Sequence, residues 1–269
     1  MWSGQAENYD SFVGWVKAQA PDVCIWIEAG TIDRTESAET MPVKERYLPA
    51  HWAELAARYG HKYVWLGMHR DNYPQVITAN VPVEGVKRIA GPKEKPVLHG
   101  ATWARVVVKG RTLNLVAVHP VPHRGNDAYR NHEMSVILAE TIKTDPAARD
   151  NLWLMAGDFN CVSRVDNFHY GFREDDPYFS THDMIARETP YVDVVARCHP
   201  GVFLSTAGSW DRVEGARLDY VYMTPALAKE VSAADVSKDG YTRIRREFRR
   251  PTGAYRPSDH RPVIVDFDF

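Results

Sequence analysis

The 269-residue chain has only three cysteines, Cys24, Cys161 and Cys198. Three cannot all pair within one chain, and their wide spacing offers no close set of metal ligands, so a disulfide framework is not the basis of the fold. No apolar run approaches the roughly 20 residues that span a bilayer. Met1 to Asp10 lack the basic start and apolar centre of a signal peptide. The expectation is a soluble chain, cytoplasmic as written and secreted if a signal peptide precedes Met1. Internal repeats, low-complexity tracts and interdomain linkers are also missing, which predicts one domain over residues 1–269. Net charge is −2, which argues against indiscriminate binding to polyanions.

What is present is an alternation of helix-like and strand-like segments in a chain that is 44% hydrophobic. Phe12, Val13 and Val16 have helical spacing, and Asp22 to Glu28 then reads as a buried strand ending in an acid. Val43 to Tyr59 predicts an amphipathic helix closed by Gly60, followed by strands at Tyr63–Leu66 and Val76–Thr78. Trp103–Val108 and Leu113–Val118 form a predicted hairpin about Lys109-Gly110-Arg111. A helix is expected over Asp127 to Lys143, then strands at Leu152–Met155, Leu218–Met223 and Val263–Phe267. Between them, Cys161 to Pro190 reads as a long aromatic and charged connection, and loops of that length are often functional.

Polar residues close these apolar strands: Glu28, His119, Asp158 with Asn160, and Asp219. Strand ends meet at the rim of a sheet, where side chains from distant segments can share one ligand. Taken singly, each has a local explanation. Glu28 reads as the first solvated residue past a strand, Asp158, Asn160 and Asp259 as turn or cap residues, and His119 and His260 as rim histidines. Local roles do not account for the ordered set Gly157-Asp158-Phe159-Asn160, Arg217-Leu218-Asp219-Tyr220 and Ser258-Asp259-His260, each beside a strand.

In that order these motifs resemble the endonuclease/exonuclease/phosphatase superfamily, which includes pancreatic deoxyribonuclease, exonuclease III-type nucleases, inositol polyphosphate phosphatases and neutral sphingomyelinases. Ile27-Glu28 looks like its Gln-Glu metal motif, and Leu115 to His119 like its strand ending in a catalytic histidine. The resemblance runs from about Trp2 to Phe269. It implies a four-layer α/β sandwich, two packed, mostly antiparallel sheets flanked by helices. It also implies divalent-metal-dependent phosphoester hydrolysis, with magnesium as the expected ion and manganese or calcium as alternatives. Glu28 and Asp259 would bind the metal. Asp158 would activate water, Asn160 would hold the phosphate or that water, Asp219 would align His260, and His119 would contact a phosphate oxygen or assist the leaving group. Family members open with a strand ending in an asparagine. Met1-Trp2-Ser3-Gly4-Gln5 resembles the loop after it, so the expected sandwich lacks its first strand unless Met1 is a misplaced start.

For substrate, the expectation is nucleic acid, DNA or RNA. Tyr170, in the aromatic connection, and Trp210 could stack on bases, although the same rings could equally pack the loop onto the domain. Arg249 and Arg250 belong to a run from Arg243 to Arg256 opposed only by Glu247, which reads either as a solvated surface or as an anion-binding lip. Arg130 completes the expected substrate contacts. Inositol phosphates or a lipid headgroup are the alternative substrates. A dinuclear metallophosphatase is a weaker reading, and a phosphate-binding module without turnover is the non-enzyme one.

Overall fold

The computed structural model describes residues 6–29, 49–67, 73–208, 215–237 and 260–269, without the side chains of 6–12 and 49–51. Its elements in chain order begin with α1 (Ala6–Gln19), β1 (Val23–Trp26), α2 (Pro49–Arg58), β2 (Tyr63–Leu66), β3 (Val76–Ala79) and β4 (Val83–Ile89). There follow β5 (Ala101–Val108), β6 (Arg111–Val118), α3 (Asp127–Glu140), β7 (Trp153–Asp158), α4 (Asn167–Tyr170), α5 (Ser180–Glu188), β8 (Val192–Asp193) and α6 (Val194–Cys198). The last are β9 (Ala207–Gly208), β10 (Gly215–Ala216), β11 (Asp219–Met223), α7 (Pro225–Ala228), β12 (Val231–Val236) and β13 (Val263–Phe267).

Strand periodicity sorts the side chains into layers, because successive residues point to opposite faces of a sheet. The central sheet has the order β4-β5-β6-β7-β11-β8. On one face, Val116, Val118, Trp153, Met155, Tyr220 and Tyr222 pack against Met134, Ile137 and Leu138 of α3 and Met184 and Ile185 of α5. On the other, Leu115, Ala117, Leu154, Ala156, Val221 and Met223 meet Ile25 and Ile77 of the β1-β3-β2 sheet and Val263 and Val265 of β13. The far side of that second sheet is covered by Val13 and Val16 of α1 and by Trp52, Leu55 and Ala56 of α2. Helices, sheet, sheet, helices: this is the expected four-layer sandwich. β7 is buried along its whole length, which is why its sequence is a continuous apolar run rather than an alternating one.

Some boundaries differ from the periodicity. The helix expected over Asp127 to Lys143 stops at Glu140, where Thr141 turns its hydroxyl back to the Ile137 carbonyl (2.6 Å). The Cys161 to Pro190 connection is not a plain loop, since it holds α4 and the nine-residue α5, whose apolar side completes the core under β7. β4 and β12 are additional strands. The first part of the Val43–Tyr59 helix lies outside the described residues.

Gly157 permits the closest strand approach near the end of β7. A Cβ built there would lie 1.9 Å from the Val118 carbonyl oxygen of the parallel strand β6, and its φ of +153° already departs from ordinary strand values. Backbone on backbone cannot give way cheaply. Gly157→Ala is therefore expected to lower stability by about 2–4 kcal/mol, read as a fall in the urea midpoint with unchanged slope, and to reduce activity because the next residue is Asp158.

Candidate active site

Register brings three of the expected residues into one row. β6 and β7 are parallel with Val118 opposite Gly157, so His119 comes level with Asp158. β7 and β11 are antiparallel with Asp158 directly opposite Asp219. His119, Asp158 and Asp219 share the parity of Ala117, Ala156 and Val221, which face the second sheet. The row therefore points into the cleft between the sheets at one rim. Glu28, just past β1, and His260, just before β13, reach the same cleft from the facing layer.

The distances define a compact cluster. His260 Nδ1 lies 2.7 Å from Asp219 Oδ2, a charge-assisted hydrogen bond in which the imidazole donates. That bond leaves His260 Nε2 facing Asp158 Oδ2 at 3.9 Å. His119 Nε2 lies 3.7 Å from the same Asp158 oxygen and 3.9 Å from Glu28 Oε1. These last separations exceed hydrogen-bonding range, so the three groups frame a space and do not close on one another. The second Asp158 oxygen, Oδ1, accepts the Asn160 backbone N–H (2.8 Å), and the Asn160 side-chain amide donates to the Pro120 carbonyl (2.9 Å). Asn160 and Glu28 both have left-handed backbone, φ +52° and +57°. That conformation is tolerated by asparagine but costs about 1 kcal/mol or more for glutamate, and such strain concentrates at functional sites.

Electrostatics set Asp158 apart. Burial pushes its carboxyl up to about 7, and the neighbouring carboxylates of Asp219 and Glu28 add to the rise, while His260 and the Asn160 N–H oppose it. Burial also drives His119 well below the usual histidine value, with His99 contributing, so His119 is neutral at pH 7. The site thus pairs a carboxyl poised near neutrality with a neutral imidazole.

Several supporting residues carry no local sequence signal. Thr206 Oγ1 accepts the backbone N–H groups of Leu218 and Asp219 (3.0 Å each), and the Thr206 carbonyl accepts the Arg261 N–H (2.7 Å). One buried threonine thereby fixes both halves of the Asp219–His260 pair. Arg217, 2% exposed, is bound by Asp166 (2.8 Å) and Asp193 (2.7 Å) and lies over the Tyr220 ring. It ties the Cys161–Pro190 connection to β11.

Two of the expected substrate contacts have partners within the protein. Arg130 is wholly buried, and its guanidinium is taken up by Asp127 and by the carbonyls of Val121 and His123 (2.7–3.2 Å). It braces the segment after His119 and has no surface to offer a phosphate. The Tyr170 hydroxyl accepts the Arg217 backbone N–H (2.9 Å), and its ring stacks on Phe172 at 5.3 Å. Tyr170 thus packs the aromatic connection onto the strand that bears Asp219. Trp210, Arg249, Arg250 and Asp259 lie outside the described residues, as do Met1 to Gln5.

Among the described residues, no group of three or more His, Cys, Asp or Glu side chains is arranged to hold a metal ion. Magnesium does not require one, because it keeps several waters and is bound through one or two carboxylates. Glu28, one-third exposed and facing the cleft, has the hard oxygen chemistry for this. Glu28, Asp158 and Asp219 bring three carboxyl groups to one cleft, the kind of negative charge that a cation relieves. The residues present fit a divalent metal.

The sequence profile of the Endonuclease/Exonuclease/phosphatase family matches residues 5–260, and the chain belongs to that family, whose members are phosphoesterase enzymes. Solved structures with the same fold include the 3'-5' exonuclease NExo from Neisseria meningitidis, 16% identical, covering 100% of this chain and 98% of that one with a TM-score of 0.70. An AP endonuclease from Archaeoglobus fulgidus is 17% identical, covering 99% and 97% with a TM-score of 0.65. TDP2 of D. rerio complexed with single strand DNA product is 16% identical, covering 98% and 93% with a TM-score of 0.62. At these identities the likeness establishes the fold. No curated protein sequence matches the chain.

Proposed function

We propose that this chain is a single-domain, divalent-metal-dependent phosphodiesterase acting on nucleic acid. The observation that carries the reading is Asp158 Oδ2 held between two imidazole Nε2 atoms at 3.7 and 3.9 Å, with a proton affinity near neutrality. A general base is most useful when its pKa lies near the working pH.

In this reading the attacking water sits against Asp158 Oδ2, which takes its proton, while the Asn160 N–H holds Oδ1 and so fixes the carboxylate plane. His260, anchored by Asp219, presents Nε2 toward the phosphoryl oxygens and stabilises charge as the transition state forms. His119, neutral and buried, faces the side of the cleft shared with Glu28 and contacts the phosphate or the leaving oxygen there. Asn160 supports the water or the phosphate. Glu28 and Asp259 would hold a divalent metal, which when bound neutralises phosphate charge and stabilises the leaving oxygen. For the substrate, support comes from the relatives of this fold, one an exonuclease, one an AP endonuclease and one complexed with single strand DNA product, and from the Arg243 to Arg256 run beside the Ser-Asp-His motif.

The test is hydrolysis of bis-p-nitrophenyl phosphate with magnesium, expected to be lost with chelator and restored by added metal. A panel of single-stranded DNA, duplex DNA, RNA, an inositol polyphosphate and sphingomyelin follows, with a nucleic acid expected to give the highest kcat/KM. Preference for an inositol phosphate or sphingomyelin would overturn the substrate. Binding without turnover would overturn the enzyme reading.

A further inference from the structure

Among the described residues, no carboxylate lies within hydrogen-bonding distance of His119 in the way that Asp219 holds His260. His119 sits against a ring. His99 and His119 are both buried, 5% and 2% exposed, and their imidazoles stack with centroids 4.7 Å apart and planes 24° from parallel. Tyr73 stands edge-on to both, at 5.0 Å from His99 and 6.2 Å from His119. Three separate chain segments therefore supply the stack.

Two buried polar side chains fix those segments. Glu133, on α3 and fully buried, uses one oxygen to accept the Leu98 N–H (2.5 Å) and the other to accept the Val121 N–H (2.6 Å). Leu98 adjoins His99, and Val121 lies two residues past His119, so one carboxylate sets the separation of the two histidine-bearing segments. Gln75, also fully buried, donates from Nε2 to the carbonyls of His99 (3.3 Å) and Tyr73 (3.4 Å). Buried hydrogen bonds of this kind tie together the segments they connect.

A ring face laid on an imidazole restricts rotation about its χ2, a torsion that is otherwise broad, and an offset aromatic pair adds about 0.5–1.5 kcal/mol beyond its buried area. With the plane fixed, His119 Nε2 is aimed between Asp158 Oδ2 and Glu28 Oε1. We propose that His99 is a positioning residue, whose stacked ring holds the His119 imidazole in the orientation used for phosphoester hydrolysis. This rests on the hydrolytic role assigned to His119 above.

The experiment compares His99→Leu, which fills similar space without a ring, with His99→Phe, which keeps a flat face. Steady-state kinetics on bis-p-nitrophenyl phosphate with magnesium are measured beside NMR of the His119 ring protons in chelator. His99→Leu is expected to lower kcat about 10- to 100-fold with KM changed less than about twofold, and His99→Phe to stay within about threefold of wild type. The His119 ring signals should move in His99→Leu, where the adjacent ring current is gone. Thermal melts confirm folding, and His99→Gln, polar and ringless, carries the same expectation if His99→Leu does not fold. Wild-type kcat and unmoved His119 signals in the ringless variant would overturn the proposal, as would equal impairment of the leucine and phenylalanine variants. If the wild-type protein hydrolyses nothing, the functional reading fails, and NOEs from the His119 ring protons decide the positioning: the same NOE pattern in His99→Leu as in wild type overturns it.

Discussion

Asp158→Asn is expected to lose about 10³-fold or more in kcat while giving a more stable protein. The loss follows from removing the carboxylate oxygen that faces both imidazoles: asparagine keeps the shape and an acceptor for the Asn160 N–H but cannot take a proton. The stability gain follows from the raised proton affinity. In the folded chain Asp158 holds its proton up to about pH 7, whereas an unfolded aspartate releases it near pH 4. Between those values the unfolded state binds fewer protons, so this group lowers stability as pH rises, and above about pH 7 its full cost is present. Measured with chelator at pH 8, Asp158→Asn should gain about 2–4 kcal/mol over wild type, and the gain should shrink toward zero by about pH 4. Equal urea midpoints at pH 8 would refute the buried-carboxylate account, and near-normal turnover would refute the base assignment.

His260→Ala should cost about 10²–10³-fold in kcat with a smaller change in KM, because its Nε2 is proposed to act mainly on charge that develops in the transition state. Asp219→Asn should fall in the same direction by a smaller factor. Its amide can still accept from Nδ1, but it can also present N–H to the ring and admit the wrong orientation. The pair should be strongly non-additive in a double-mutant cycle, since His260→Ala already removes what Asp219 serves. Additive losses, or an Asp219 variant worse than His260→Ala, would break the proposed chain of dependence.

Much of this site was legible from the sequence because its parts announce themselves locally. The apolar run of β7 stops at Asp158 and the strand after Lys109-Gly110-Arg111 stops at His119, whereas Asp219, expected to close a strand, opens β11. Strand ends and motif order sufficed. What the sequence did not carry was contact between segments far apart in the chain. Arg130 was an expected substrate contact, but the turn after His119 folds over it and consumes its donors. Thr206, Glu133 and His99 act through partners 12 to 55 residues away, or through a stacked ring, and nothing near them in the chain marks that use. β4 was obscured because it is an edge strand carrying Glu84, Lys87 and Arg88 and broken by a bulge at Gly85, over which the Trp65 ring lies. Charges and irregularity suit an exposed edge and mask its periodicity. α5 was hidden within a stretch rich in polar residues, where only its inward side, with Met184 and Ile185, has an apolar pattern.

The pairing of Val118 with Gly157 and of Asp158 with Asp219 has a consequence for how such an enzyme can be altered. His119, Asp158 and Asp219 are spaced by the pitch of a sheet, so their mutual placement cannot be tuned by degrees: a one-residue slip in any of the three strands turns the group away altogether. Redesign of substrate preference has to leave β6, β7 and β11 intact and work in the connections around them; between Cys161 and Pro190 that means the exposed turn at Arg173 to Asp175, because Asp166 and α5 brace the core beneath the reacting groups.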